Sequence, residues 1–198
     1  MTYEEWKKNF VYTDWKTADI KIPSDIMNIS GITPDYADAI ERVYEKMKKE
    51  YIVNFQNVTV ENWGAKRPDV PFFCQYYEEN GKHMAKLVVN SGYDFSGFDA
   101  IIKAGYEYKY FAEKRIEDYI KHEIVHILTG QDIESVEDFN AFFEEVKDLY
   151  VPGVSGYSDE AQNGFETLAE AYVKIKNGED VPEKAKEYVD RYIERWKR

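Results

Sequence analysis

The chain has 198 residues, enough for one domain of ordinary size, with 43% hydrophobic and 32% charged residues, a balance that excludes a disordered chain. Its net charge of −12 argues against a general nucleic-acid binder and against attraction to anionic membranes. A single cysteine, Cys74, excludes an internal disulfide framework and reads as a small buried hydrophobe in a reducing compartment.

The opening Met1-Thr2-Tyr3-Glu4-Glu5-Trp6 has no apolar core for a secretory signal, and no stretch is apolar enough for a spanning helix. Residues 1–32 read as an irregular arm packed on the domain through Trp6, Phe10, Tyr12 and Trp15. Thr33-Pro34-Asp35 has the chemistry of a helix start, with a capping threonine and a first-turn proline. Ala37, Ile40, Val43, Tyr44 and Met47 then recur at helical spacing to about Glu50. Ile52 to Val60 alternates and is rich in β-branched residues, which predicts a strand. Phe72–Tyr77 and Met84–Asn90 predict a hairpin around Asn80-Gly81, and His83 beside that turn reads as a solvated turn residue.

Ser91 to Gly105 reads as a glycine-punctuated connection, followed by a helix from about Tyr106 to Leu128 that stops at Gly130. Ser135 to Leu149 is a second helix with a capping start, and Tyr150 to Ser158 is a loop. Ala161 to Lys176 is helical, and Pro182 to the end is a last amphipathic helix. A small sheet followed by a run of helices defines an α+β domain over residues 33–198.

Two of the three histidines stand in His122-Glu123-Ile124-Val125-His126. One helical turn separates them, so both imidazoles leave the same face and can reach one Zn²⁺. Glu123 is placed beside the metal, where it can take a proton from water. The third ligand is sought among acids. Glu166 and Glu170, one turn apart, flank the apolar side formed by Phe165, Leu168, Ala169 and Tyr172. A metal for Glu166 and a histidine N–H for Glu170 would compensate two carboxylates at a buried edge.

His122-Glu123-x-x-His126 followed by Glu166-x-x-Ala169-Glu170-Ala171 resembles the zincin metallopeptidases whose third ligand is a glutamate. It also resembles the catalytic domain of anthrax lethal factor and similar domains in phage minor-head and prophage proteins. The resemblance implies a zincin-like fold: a small mixed sheet with an edge strand, an active-site helix, and a following glutamate-bearing helix. It implies His122, His126 and Glu166 as zinc ligands, Glu123 as general base, and Glu170 as the carboxylate behind a histidine. Val154-Ser155-Gly156-Tyr157-Ser158 stands where relatives carry a Ser-Tyr element, which implies Tyr157 as the residue facing the oxyanion, with Tyr150 as its rival. Lys86-Leu87-Val88-Val89-Asn90 is similar to the family's edge strand, where an extended peptide or protein substrate would pair. Val125 departs from the glycine of many relatives, and Tyr157 and Glu166 stand nine positions apart, more than in lethal factor.

The expected activity is zinc-dependent peptide hydrolysis, in a cytoplasmic or virion-associated protein. The rivals are a phage- or prophage-type structural or binding protein whose metal site is not catalytic, and a hydrolase for a non-peptide amide.

Overall fold

The computed structural model describes residues 34–54 and 57–198. The expected arm, residues 1–32, and the Thr33 cap lie outside the described residues. Helix α1 (Pro34–Glu50) turns Ile40, Val43 and Met47 inward and leaves Glu41, Arg42 and Lys46 exposed, as the spacing predicts. The strand expected over Ile52–Val60 is displaced: β1 is Asn57–Glu61. Residues 52–54 form no strand because their polar groups are taken elsewhere. The Ile52 amide donates to the Trp196 carbonyl, and the Asn54 amide donates to Gln131 Oε1.

The hairpin forms as read, with β2 (Phe72–Glu79) and β3 (Lys82–Asn90) joined by Asn80 at φ 51° and Gly81 at φ 78°. Two successive positive φ angles match the right-handed twist of the flanking strands. The sheet order is β1-β3-β2, with β1 parallel and β2 antiparallel to β3.

This topology corrects the edge-strand reading. Lys86–Asn90 is the central strand: Asn57–Glu61 pairs along one side, and Pro71–Gln75 borders the other. Leu87, Val88 and Val89 are fully buried, as expected where both faces of the sheet are covered. No substrate strand can add there, because the backbone groups are already committed. Lys86 is not a substrate contact either. It is buried on the sheet face away from the main core, 2.6 Å from Glu61 Oε1. Asn90 is a structural tie: its Oδ1 accepts from the Trp63 and Gly92 amides, and its Nδ2 donates to the Arg67 and Val70 carbonyls.

The long helix expected over 106–128 is two helices. Helix α2 (Phe98–Glu107) occupies part of the expected connection, and α3 (Ile116–Gly130) carries the histidine motif. The turn between them passes through Lys109 at φ 59°, a conformation no helix contains. Helix α4 (Val136–Lys147) starts at Ser135, whose side chain accepts from the Asp138 amide. Helix α5 (Gly156–Ala161) begins inside the expected loop, with Ser155 and Ser158 forming a reciprocal cap. Gln162 at φ 51° then breaks the chain direction before α6 (Gly164–Lys176), capped by Asn163. Helix α7 (Glu183–Tyr192) and a 3₁₀ turn (Glu194–Trp196) finish the chain. The described residues thus form a mixed α+β fold of seven α-helices and a three-stranded mixed sheet. None of these helices is long and apolar enough to cross a membrane.

Helix α3 lies at the centre. It packs against α1, α6 and the β2–β3 hairpin, and every residue from Ile120 to Gly130 is buried. Ile120, Ile124, Ile127 and Leu128 are each worth about 1.5–3 kcal/mol of burial. That apolar framework sustains a helix that also buries Lys121, His122, Glu123 and His126.

Candidate metal centre

His122 and His126 leave α3 one turn apart, with ring centroids 4.8 Å apart and planes at 81°. Helix α6 crosses above them. Its N-terminus comes close because residue 164 is glycine: a Cβ there would sit 1.9 Å from the Val146 carbonyl oxygen at the end of α4. The Asn163 side chain accepts from the Glu166 amide and fixes the first turn. Glu166 and Glu170 then face α3, both buried.

Glu166 Oε2 lies 3.0 Å from His122 Nε2 and 3.6 Å from His126 Nε2. The three ligand atoms fall within 4.8 Å of one another. For a tetrahedral ion with bonds of about 2.0–2.1 Å, neighbouring ligand atoms stand roughly 3.3 Å apart. The two distances bracket that value, so this buried trio could hold a metal ion.

The other ring nitrogen of His122 faces two carboxyl groups. Nδ1 is 2.8 Å from Glu113 Oε1 and 3.0 Å from Glu170 Oε1, and Glu170 Oε2 accepts from the Ala112 amide at 2.9 Å. Glu170 therefore stands where a carboxylate behind a histidine is expected. Glu113 is a residue that the sequence reading misses. It sits in the turn before α3, outside any periodic pattern, and no spacing rule marks it.

Glu123 reaches toward β2 beside the two imidazoles. Its Oε2 accepts from the Cys74 amide at 2.7 Å. That amide faces away from β3, since the antiparallel ladder uses the groups of alternate residues. Cys74 itself is buried, as read. The Tyr76 hydroxyl donates to the His126 carbonyl, which ties β2 to the same turn of α3.

The charges are arranged asymmetrically. Burial opposes ionisation of Glu166, but His126 and His122 hold its carboxyl well below the usual range. Glu170 is likewise held low, against burial, by the His122 hydrogen bond. Burial pushes Glu123 up, and burial with the nearby Glu170 pushes Glu113 up strongly. Burial alone would lower His122, yet Glu113, Glu166 and Glu170 hold its imidazole well above the usual value in the absence of an ion.

Tyr157, the second residue of α5, stacks its ring edge-on against Tyr110 and Phe111, with its centroid 6.1 Å from that of His122. It lines a small cavity with His122, Glu123 and Tyr119, of about 10 Å³, the space of one water. Its rival Tyr150 donates to Asp159 Oδ1 at 3.0 Å and does not line this cavity. His83 is not a solvated turn residue. It stacks on Phe139 at 3.5 Å, and burial pushes it down to about 4. The bridge between Lys82 and Ser135 brings the start of α4 against the hairpin and supplies that ring.

No family model matches this chain, and neither the curated proteins nor the solved structures give a match.

Proposed function

We propose that the chain is a zinc-dependent metallopeptidase, and the observation that carries this reading is the convergence of His122, His126 and Glu166 beside a buried Glu123. Two imidazoles and one carboxylate suit zinc by ligand type. Structural zinc sites are closed by four protein ligands, whereas this group holds three among the described residues, which favours a catalytic site. The resemblance of His122-Glu123-x-x-His126 and Glu166-x-x-Ala169-Glu170 to the glutamate-type zincins points the same way. When bound, the ion supplies Lewis acidity: it polarises a carbonyl and makes water acidic near neutral pH.

The chain's own residues would do the rest. Glu123, with its carboxyl pushed up by burial, accepts a proton from the attacking water and passes it to the leaving amine. Tyr157 donates a hydrogen bond to the developing oxyanion. Glu170 holds the His122 ring in one tautomer through Nδ1. The substrate is a peptide or protein segment in extended form. With β3 central, the strand that would receive it is β2, along its edge facing away from β3.

The test is elemental analysis with a peptide-library cleavage assay on the parent and Glu123→Gln. One zinc per chain is expected in both, with hydrolysis lower in the variant by about 10²–10⁴-fold. A parent without metal, or a variant that cleaves at the parental rate, would overturn the reading.

A further inference from the structure

We infer that Glu113 is a positioning residue for His122, and that with Glu170 it forms a two-carboxyl bracket fixing the imidazole through Nδ1 while Nε2 faces Glu166. This rests on the proposed metal site and adds a member that no sequence pattern marks. A neutral imidazole that coordinates through Nε2 carries one N–H, on Nδ1. One carboxylate suffices for that proton, and Glu170 supplies it at 3.0 Å. The structure brings a second acceptor closer still, Glu113 Oε1 at 2.8 Å. Glu113 is 1% exposed, and its Oε2 has no hydrogen-bond partner. Burying an incompletely satisfied carboxyl group is costly, so its delivery to this one nitrogen calls for a use.

The turn that carries Glu113 is held along its length. The Lys109 amide donates to the Tyr106 carbonyl, the Tyr110 amide to the Gly105 carbonyl, and the Lys114 amide to Asp118 Oδ2. The Ala112 amide donates to Glu170 Oε2, so the turn and α6 are locked together and their two carboxyl groups approach the ring as a unit. The Lys109 and Tyr110 carbonyls also accept from the Gly156 and Tyr157 amides, which start α5. One preorganised turn therefore orients the imidazole and seats the helix bearing Tyr157. A ring gripped from two sides cannot tilt about its Cβ–Cγ bond, and Nε2 stays aimed at Glu166.

The same three groups, Glu113, Glu170 and His122 Nδ1, also stand close enough to surround a cation. An ion count separates that use from a hydrogen-bonded bracket. The experiment compares the parent with Glu113→Gln and Glu113→Ala. It measures zinc stoichiometry, zinc affinity by competition with a chromophoric chelator, peptide cleavage, and the His122 Nδ1–H resonance by ¹⁵N-edited NMR.

The expected results are one zinc per chain and an affinity about 10–100-fold weaker in Glu113→Ala. In that variant kcat falls with KM little changed, and the Nδ1–H signal, left with Glu170 alone, shifts and broadens. Glu113→Gln keeps an acceptor in place and recovers most of the lost affinity. Parental affinity and an unmoved Nδ1–H signal in Glu113→Ala would overturn the inference. So would equal losses in both variants, or a second ion that disappears with Glu113. Should Glu113→Ala fail to fold, Glu113→Asp withdraws the carboxyl by one methylene and carries the same expectation. A parent that binds zinc but cleaves nothing refutes the peptidase reading alone, and the affinities still decide on Glu113. A parent that binds no metal refutes the site, and the Nδ1–H resonance then decides whether Glu113 holds the ring.

Discussion

His122 is engaged through both of its nitrogens, and each engagement selects a different acid. Glu166 and Glu170 differ by one helical turn, yet one meets Nε2 and the other Nδ1. This division of labour follows from α6 crossing α3 at the ring, so that successive turns pass on opposite sides of one imidazole. Tyr157 belongs to the same scale. Its ring packs edge-on against Tyr110 and Phe111, contacts that a phenylalanine ring keeps. Tyr157→Phe is therefore expected to keep the zinc and the fold while losing cleavage rate by about 10²–10³-fold, the usual worth of one oxyanion donor. Parallel zinc analysis and kcat measurement check it, and an unchanged kcat would move the oxyanion role to another group.

The helices and strands set the aim of these side chains. The N-terminus of α6 touches the end of α4 through Gly164, two residues before Glu166. Gly164→Ala would press a methyl group onto the Val146 carbonyl, with Leu149 Cβ also within 2.9 Å. The helix must shift, at a cost of about 1–3 kcal/mol in stability. Zinc affinity is expected to fall with it, because Glu166 rides on the shifted turn. Thermal melts of the metal-free chain and zinc competition separate the two effects.

Ile40, Val43 and Met47 announce α1 because a one-sided helix writes its period into the chain. Asn80-Gly81 announces the hairpin because few residues tolerate two positive φ angles. The candidate ligands on α3 and α6 were legible for the same reason: a spacing of four is a geometric statement. The turn from Tyr108 to Arg115 was not. Tyr110, Phe111 and Ala112 are buried there, so a packed loop carries the apolar content of a helix and merges with its neighbours. Glu113 was hidden with it. The central position of β3 depends on which strands come to lie beside it, a non-local fact, although the unbroken Leu87-Val88-Val89 was a local hint.

For the molecule as a whole, the buried site ties stability to pH. Glu166 and Glu170 have folded values below the ordinary 4.5, so their contribution is present above 4.5 and is lost as pH falls through the folded values. Glu113 and Glu123 have raised values, so above 4.5 the folded chain keeps protons that the unfolded chain releases, and stability declines as pH rises. His122 is also raised. Its contribution is full below 6.5 and is lost as pH rises through the folded value. All three opposing groups act in one direction at neutral pH. His83, pushed down to about 4 by burial, works the other way but only below 6.5, so the metal-free chain is expected to melt at a lower temperature at about pH 9 than at about pH 7. Zinc takes the place of the His122 proton, so the gap in Tm between zinc-loaded and chelator-stripped protein should widen with pH. Paired melts across that range are the check, and a gap that narrows would contradict the charge states described.

The burial of α3 on every side has one more consequence. A helix enclosed in this way has no private route of opening, and its amides meet solvent only when the surrounding structure lets go. The segment bearing His122, Glu123 and His126 thus inherits the lifetime of the fold. Any mutational path that retunes its chemistry must run through positions that also keep the molecule standing.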